Sequence, residues 1–187
     1  IENGQADFDV VCPSEYIIER MMRNELLLPI LTPEFETEIN AKGINYFDCI
    51  SPYIKEQFSL LEAPEGVNPN DYSVGYMWGT TGNLHNTALV DKNEILSLGG
   101  LQNERFQGKV FMKDAFRDIY SVVVLYAYRD EIARGEVTRD ELVANVTDER
   151  IQRVEEFLTS MKNNIAGWEV DFGKEEMTKG KAWLNLS

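Results

Sequence analysis

Histidine and cysteine are scarce in this chain of 187 residues, which has one histidine, His85, and two cysteines, Cys12 and Cys49. Metal and redox sites usually need several such side chains at regular spacing, and these three match no known spacing. We therefore predict no metal ion or other cofactor, and we interpret His85 as a hinge or surface residue. Cys12 is predicted to be a small buried hydrophobe and Cys49 to lie in a helix-like segment, with a disulfide between them left open.

Positive charge is also in short supply, with 18 basic residues against 32 acidic ones and a net charge of -14. Such a surface repels nucleic acid at long range and attracts small cations. We therefore predict no nucleic-acid partner. The alternative, that the acidic surface only keeps the protein soluble, stays open at this point.

Long apolar runs are missing as well. No run approaches the roughly 18 apolar residues that span a membrane, and no signal peptide is recognisable. The chain begins with Ile1 followed by ENGQADFDVV, which leads us to expect a trimmed polypeptide. Trimming would make the missing signal peptide uninformative about location.

The most distinctive stretch is DYSVGYMWGTTGNLHN, residues 71–86. Apolar and aromatic side chains alternate along it, which predicts one extended strand ending at the glycines of GTTG. The alternating residues are Tyr72, Val74, Tyr76 and Trp78. We interpret this strand as a hinge between two lobes. The predicted division is residues 1–82 for part of lobe one with the hinge strand, and residues 83–187 for most of lobe two.

A strand, a sharp turn and a helix start are predicted near the beginning of the chain. Phe8 to Cys12 is rich in strand formers and stops at Pro13. Ser14 then stands where a helix N-cap belongs, and an apolar helical pattern follows. This layout is typical of a ligand-facing loop in an α/β protein. The alternative is that Ser14 is only a cap and Tyr16 only a first-turn aromatic.

The same layout returns after the predicted hinge. Gly108 to Met112 predicts a strand, and Asp114 begins a turn into an apolar helix that carries Asp118. A carboxylate near a helix N-terminus is stabilised by the helix dipole. The alternative is plain capping, with Asp118 paired to a neighbour such as Arg117 or Arg129.

The rest of the chain predicts further helices and strands around these two loops. Ile165 to Phe172 is predicted to be a connection anchored by Trp168, and Lys181 to Leu186 a strand. Helical spacing or capping signals mark the remaining elements, which are the segments 50–61, 92–98 (ending at Gly99 and Gly100), 151–162 after a cap at Thr147, and 174–179.

Three ordered phrases carry a family resemblance: DVVCPSEYIIERMMRNELL, YSVGYMWGTTG and GKVFMKDAFRDIY. Together they resemble the extracytoplasmic substrate-binding proteins of spermidine/putrescine ABC transporters. The resemblance implies a two-lobed α/β fold of the periplasmic-binding-protein-like type II class, incomplete in this chain. Family members begin with a strand upstream of these residues and continue past the point that corresponds to Ser187. The chain therefore resembles an internal fragment.

The resemblance also implies a function and a set of site residues. Such proteins capture a polyamine between two lobes outside the cytoplasm and deliver it to a membrane permease of an ABC transporter. By motif position, Ser14 and Tyr16 would supply hydroxyl and aromatic contacts, and Asp118 would neutralise an ammonium group. Asp114 is expected to cap the turn. Trp78 is expected to pack in the hinge.

Several other readings stay open. A binding protein of the same fold for another small organic cation or an amino-acid-like solute is one, and a truncated fragment without binding activity is another. Where some family members carry an additional acidic residue, this chain has Ala115 or Phe116. The number and spacing of the amine groups that the site accepts are therefore left open. An enzyme is not predicted, because no catalytic base and nucleophile are paired. Uncovered sheet edges in an incomplete lobe one would allow a homo-oligomer.

Overall fold

A computed structural model describes residues 8–43, 46–170 and 173–187. The chain divides into two compact units, Ile1–Gly79 and Thr80–Ser187. Their interpretation as parts of two lobes with a boundary at residue 82 stays a prediction. The predictions for residues 1–7 and for Phe172 lie outside the described residues.

The first unit is helical in the part that the structure describes. Its α-helices are α1 (Glu15–Arg23), α2 (Pro33–Ala41), α3 (Pro52–Ser59) and α4 (Pro69–Tyr72), with a 3-10 turn at Tyr46–Cys49. Proline opens α2, α3 and α4, where its missing N–H costs no intrahelical bond and its fixed φ suits a helix. The buried apolar side chains of these helices are Met21, Met22, Ile39 and Pro69.

The two strands predicted in this unit are not observed. Residues 8–12 form no strand, and Tyr72 ends α4 instead of opening a hinge strand. Alternating apolar residues favour an extended chain, but a strand exists only where a neighbour accepts its hydrogen bonds. Trp78 is also not packed as expected, since 68% of it is exposed. Its ring lies 6.3 Å from that of Tyr53 on α3.

Residues 73–79 pass close to α3. A Cβ added at Gly75 would lie 2.5 Å from Cγ2 of Ile54 and 3.4 Å from Cε2 of Phe58. Only glycine lets the backbone approach the helix this closely. The alternating pattern of the segment therefore coexists with a contact to a helix rather than to a sheet.

The second unit is built on a four-stranded sheet with strand order β1-β4-β2-β3. The strands are β1 (Asn83–His85), β2 (Val110–Lys113), β3 (Ile165–Glu169) and β4 (Leu184–Leu186). β2 runs parallel to both β3 and β4, whereas β1 is antiparallel to β4. The predicted strands around β2 and β4 are confirmed. The segment predicted as a connection up to Phe172 contains β3 instead.

Helices surround this sheet. They are α5 (Phe116–Ala127), α6 (Arg129–Arg134), α7 (Arg139–Ala144), α8 (Asp148–Ser160) and α9 (Gly173–Thr178). The predicted cap at Thr147 is confirmed, because its hydroxyl accepts a hydrogen bond from the Arg150 N–H at 3.3 Å. Short 3-10 helices cover Lys92–Ile95, Leu98–Gln102, Glu104–Phe106 and Lys162–Asn164. Gly99 and Gly100 thus lie inside a 3-10 helix and do not end one.

The hydrophobic core of this unit joins the sheet to α5, α7 and α8. α5 packs on both α7 and α8, so its long apolar run is buried on more than one side. The buried core residues are Val90, Ile95, Leu98, Leu101, Phe106, Val110, Met112, Ile119, Tyr120, Val123, Val124, Tyr128, Leu142, Val154, Phe157, Met161, Leu184 and Leu186.

Cys12 is not buried as predicted, whereas Cys49 ends the 3-10 turn Tyr46–Cys49, in line with the helix-like segment predicted there. Both cysteines are exposed and form no disulfide, which settles the pairing that the sequence left open. Cys12 is exposed because the strand that was expected to bury it does not form. Across the described ranges, no helix is both long and apolar enough to cross a membrane.

Candidate functional site

The carboxyl ends of three parallel strands meet at one edge of the sheet in the second unit. β2 ends at Lys113, β3 at Glu169 and β4 at Leu186. In α/β sheets, ligands bind outside the carboxyl ends of the strands, where loops and helix starts converge. The predicted ligand residue Asp118 follows β2 directly, in the first turn of α5.

Asp118 pairs with a lysine rather than with the arginines considered from the sequence. Its Oδ2 lies 2.8 Å from Nζ of Lys113, and 41% of the Asp118 side chain is exposed. Arg129 pairs instead with Asp130 at 3.8 Å and stacks over Tyr126. The carboxylate is therefore accessible and already binds one primary ammonium.

Asp114 does not have the capping role expected of it. The N-cap residue of α5 is Ala115, and no side chain forms a capping bond there. Asp114 is exposed, and its backbone N–H donates to the Glu169 carbonyl at 2.7 Å. This bond ties the loop after β2 to the end of β3, and so holds the backbone that leads to Asp118.

Glu169 is a buried carboxylate that the sequence did not single out. It is 3% exposed, and its two oxygens accept hydrogen bonds from the Gly173 N–H at 2.8 Å and the Asn185 amide at 3.0 Å. An added Cβ at Gly173 would lie 2.6 Å from the carboxylate, so only glycine fits there. Both oxygens of Glu169 are therefore used in hydrogen bonds that stabilise this end of the sheet. No pattern in the phrase WEVDFG indicated this role.

An exposed aromatic ring lies close in sequence to Asp118. Phe116 is 68% exposed and stacks on Tyr120, with ring centroids 5.8 Å apart. Aromatic faces attract cations and pack along methylenes. Sequence reasoning noted Phe116 only as a departure from the family pattern. The signal that could have found it is a large aromatic in the first, polar turn of a helix.

Phe116 also borders an apolar groove of about 650 Å³ beside α8 and β3. Asp118 does not line this groove, so the groove and the carboxylate are neighbouring features and not one cavity. The lining residues are Phe116, Ile151, Val154, Glu155, Leu158, Thr159, Lys162, Ile165, Ala166, Gly167 and Trp168. Trp168, predicted as an anchor, is 45% exposed.

Ser14 and Tyr16 lie at the start of α1 in the first unit. Ser14 has extended N-cap backbone angles, yet its side chain makes no capping hydrogen bond. Its backbone carbonyl accepts from the Ile17 N–H at 3.0 Å, and its side chain is exposed. Tyr16 is half-buried in the first helical turn. The hydroxyl of Ser14 is thus not used to hold the helix.

The structure offers no metal centre among the residues that it describes. No group of three or more His, Cys, Asp or Glu side chains is placed to hold a metal ion there. His85 is half-buried in β1.

Two solved structures share the fold of this chain. One is the spermidine/putrescine ABC transporter substrate-binding protein PotD of Streptococcus pneumoniae, in complex with calcium and HEPES, at 18% identity and a TM-score of 0.63. The other is a Listeria monocytogenes protein described as a spermidine/putrescine ABC transporter, at 19% identity and a TM-score of 0.72. The alignment covers 100% of this chain and 49% of each structure. The chain thus has the α/β fold of ABC transporter substrate-binding proteins, incompletely represented.

The sequence comparison identifies the particular relatives. The chain is 24% identical over 117 residues to the spermidine/putrescine-binding periplasmic protein of Escherichia coli K12. The match includes 63% of this chain and 29% of that protein, so the matched region spans under a third of the length of this relative. No protein-family profile matches. The resemblance to spermidine/putrescine substrate-binding proteins therefore holds in both sequence and fold, and the Escherichia coli and Streptococcus pneumoniae relatives are named as binding proteins.

Proposed function

We propose that this chain is part of an extracytoplasmic solute-binding protein that captures a polyamine, spermidine or putrescine, for an ABC transporter. The observation that carries the proposal is the carboxylate of Asp118. It lies at the carboxyl edge of the sheet, is partly exposed, and already accepts a primary ammonium at 2.8 Å. A protonated polyamine presents the same group at each end of a methylene chain.

The chemistry of a polyamine matches two side chains in the first turn of α5, Asp118 and Phe116. Its ammonium groups need carboxylates, and its methylenes pack on aromatic faces. Asp118 supplies the carboxylate, and the exposed ring of Phe116 supplies an apolar face. Both residues belong to the first turn of α5. This arrangement supports the assignment of Asp118 as a ligand residue.

Ser14 and Tyr16 are proposed as ligand residues on separate grounds. The exposed Ser14 hydroxyl makes no capping bond, so it is available to accept an N–H from a ligand. Tyr16 lies two residues further on, in the first turn of α1. The family resemblance of the PSEY phrase adds to this support.

The partners and location follow from the same proposal. The ligand-loaded protein would be recognised by the membrane permease of an ABC transporter, in the periplasm or outside the cell, and held at the membrane through the transporter or a lipid anchor. Self-association through open edges of lobe one is not included, because the described residues of the first unit form no strand. No chemical reaction is proposed.

One observation favours a second candidate ligand class. Lys113 places an ammonium beside the carboxylate of Asp118, so the pair could receive both charges of a zwitterion. An amino-acid-like solute would set its ammonium on Asp118 and its carboxylate on Lys113. Ornithine tests this well, because it is putrescine with one added carboxylate.

The deciding experiment is isothermal titration of the intact protein with spermidine, putrescine and ornithine. Polyamine binding with weaker or no ornithine binding would support the proposal. Preference for ornithine would replace it with the amino-acid-like alternative. If none of the three binds, the ligand belongs to another class.

A further inference from the structure

Lys113 is placed so that it must affect whatever binds at Asp118. It is the last residue of β2, which is paired on both sides, with β3 at Lys113↔Glu169 and with β4 at Met112↔Leu186. The backbone of Lys113 is therefore held firmly. Its side chain is a flexible stem with an ammonium at the end, and that ammonium contacts Asp118 at 2.8 Å.

Glu169, which pairs with Lys113 across the strands, is not an alternative partner for this ammonium. Both of its carboxylate oxygens accept hydrogen bonds, from Gly173 and Asn185, and it is 3% exposed. Among the described residues, Asp118 is the carboxylate with which Lys113 forms an ion pair. The lysine side chain remains 31% exposed, so its ammonium can move into water when it leaves Asp118.

We propose that Lys113 is an internal competitor that occupies Asp118 until a ligand ammonium displaces it. This inference rests on the proposed function. The lysine ammonium and the terminal group of putrescine are both primary ammonium groups on methylene chains, so Asp118 cannot distinguish them by chemistry. A short tether gives the lysine group an effective concentration of about millimolar. Only the molecules in which Lys113 has left Asp118 are ready to bind. The apparent affinity for a polyamine is therefore the intrinsic affinity multiplied by that unoccupied fraction.

Partly exposed ion pairs are weak, so removing the competitor should tighten diamine binding by about two- to fivefold. If Lys113 instead positions Asp118 for the ligand, its removal would weaken binding. The two roles therefore predict opposite directions.

The test is calorimetric titration of putrescine into the intact wild type and four variants. Lys113→Met keeps an unbranched stem but removes the charge, and Lys113→Gln does the same with a polar end. Lys113→Arg keeps the positive charge and the ion pair. Lys92→Met removes the same charge from an exposed position in another segment of the second unit. Thermal unfolding of each variant reports whether it folds.

Tighter binding in Lys113→Met and Lys113→Gln, with Lys113→Arg and Lys92→Met at or below wild-type affinity, supports the competitor role. Unchanged or weaker binding in the two uncharged variants overturns it while leaving the proposed function intact. Binding seen only in the uncharged variants supports both ideas. Absence of binding in every protein overturns both.

Discussion

The side chains of Glu169 on β3 and Asn185 on β4 meet across β2, the strand between them. The Asn185 amide donates to a Glu169 oxygen at 3.0 Å, and both residues are buried, at 1% and 3% exposure. Because β2 lies between β3 and β4, this bond joins two strands that are not neighbours. It holds the sheet edge from which α5 and Asp118 begin.

Replacing Glu169 with alanine should therefore destabilise the second unit. The change leaves the Gly173 N–H and the Asn185 amide without their partner. We expect a loss of about 1–3 kcal/mol in the free energy of unfolding, the usual cost of an unsatisfied buried group. Urea unfolding measures it, with exposed Glu155→Ala on α8 as a control that should change little. Equal stability of the two variants would contradict this role of Glu169.

Replacing Asp118 with asparagine should weaken polyamine binding severely and leave folding intact. The change removes the charge that an ammonium requires but keeps the size of the side chain. A charge-assisted hydrogen bond of about 1.5–3 kcal/mol corresponds to about a 10- to 100-fold loss of affinity. Calorimetry measures the loss. Asp130→Asn, an equal charge change on exposed α6, should keep wild-type affinity, and unchanged affinity in Asp118→Asn would remove Asp118 from the site.

Replacing Phe116 with alanine should lower polyamine affinity by about two- to fivefold, the range of an exposed cation–π contact. Phe116→Leu keeps apolar bulk without the ring face, and Phe116→Tyr keeps the face. The ring is the cause if tyrosine retains affinity and leucine does not. Wild-type spermidine affinity in all three variants, measured by calorimetry, would rule out a contact at Phe116.

Replacing Ser14 with alanine should weaken polyamine binding without a loss of stability. Its hydroxyl makes no capping bond, so α1 loses no hydrogen bond in the variant. Thr147 is the matched comparison, because its hydroxyl does cap α8 and its loss should cost about 1 kcal/mol. Thermal unfolding and titration of both variants separate the roles. A clear drop in the melting temperature of Ser14→Ala would show that Ser14 supports the helix.

Replacing Tyr120 with phenylalanine should keep or raise stability, most clearly at alkaline pH. Within the described residues the buried Tyr120 hydroxyl has no hydrogen-bond partner, and burial raises its pKa above 10.0. The unfolded chain therefore loses this proton at a lower pH than the folded one. The free energy of unfolding of the wild type therefore falls as the pH rises above about 10, the pKa of tyrosine in the unfolded chain. Tyr120→Phe has no phenol at this position and lacks this loss. Urea unfolding of both proteins should show a larger stability advantage of Tyr120→Phe over wild type at about pH 10.5 than at neutral pH. The same difference at both pH values would contradict the prediction.

Local patterns predicted several of the helices. The helix after Ser14, the helix carrying Asp118 and the helix after Thr147 are observed, and the short helix predicted at residues 174–179 is observed at Gly173–Thr178. Their signals are caps and apolar spacing, which depend on residues within one or two turns. The predicted strands near β2 and β4 succeeded because each has neighbours in the second unit to accept its hydrogen bonds.

The strands at residues 8–12 and 72–78 could not be judged in this way. The strand formers of the first segment and the alternating side chains of the second favour extended backbone, but pairing depends on segments distant in sequence. The ion-pair partner of Asp118 was also not predicted from the sequence. Arg117 and Arg129 were the partners considered from the sequence, whereas Lys113 reaches Asp118 from the preceding strand.

The sequence by itself determined the α/β class, several of the helices and the family resemblance, because these depend on local spacing and on short ordered phrases. Only the tertiary structure decided which segments pair as strands, which carboxylate is buried at Glu169 and which is exposed at Asp118. Burial and ion pairing depend on how the strands and helices pack together, which local spacing does not specify. For that reason the competing ammonium of Lys113 became visible only once β2, β3 and α5 were in place.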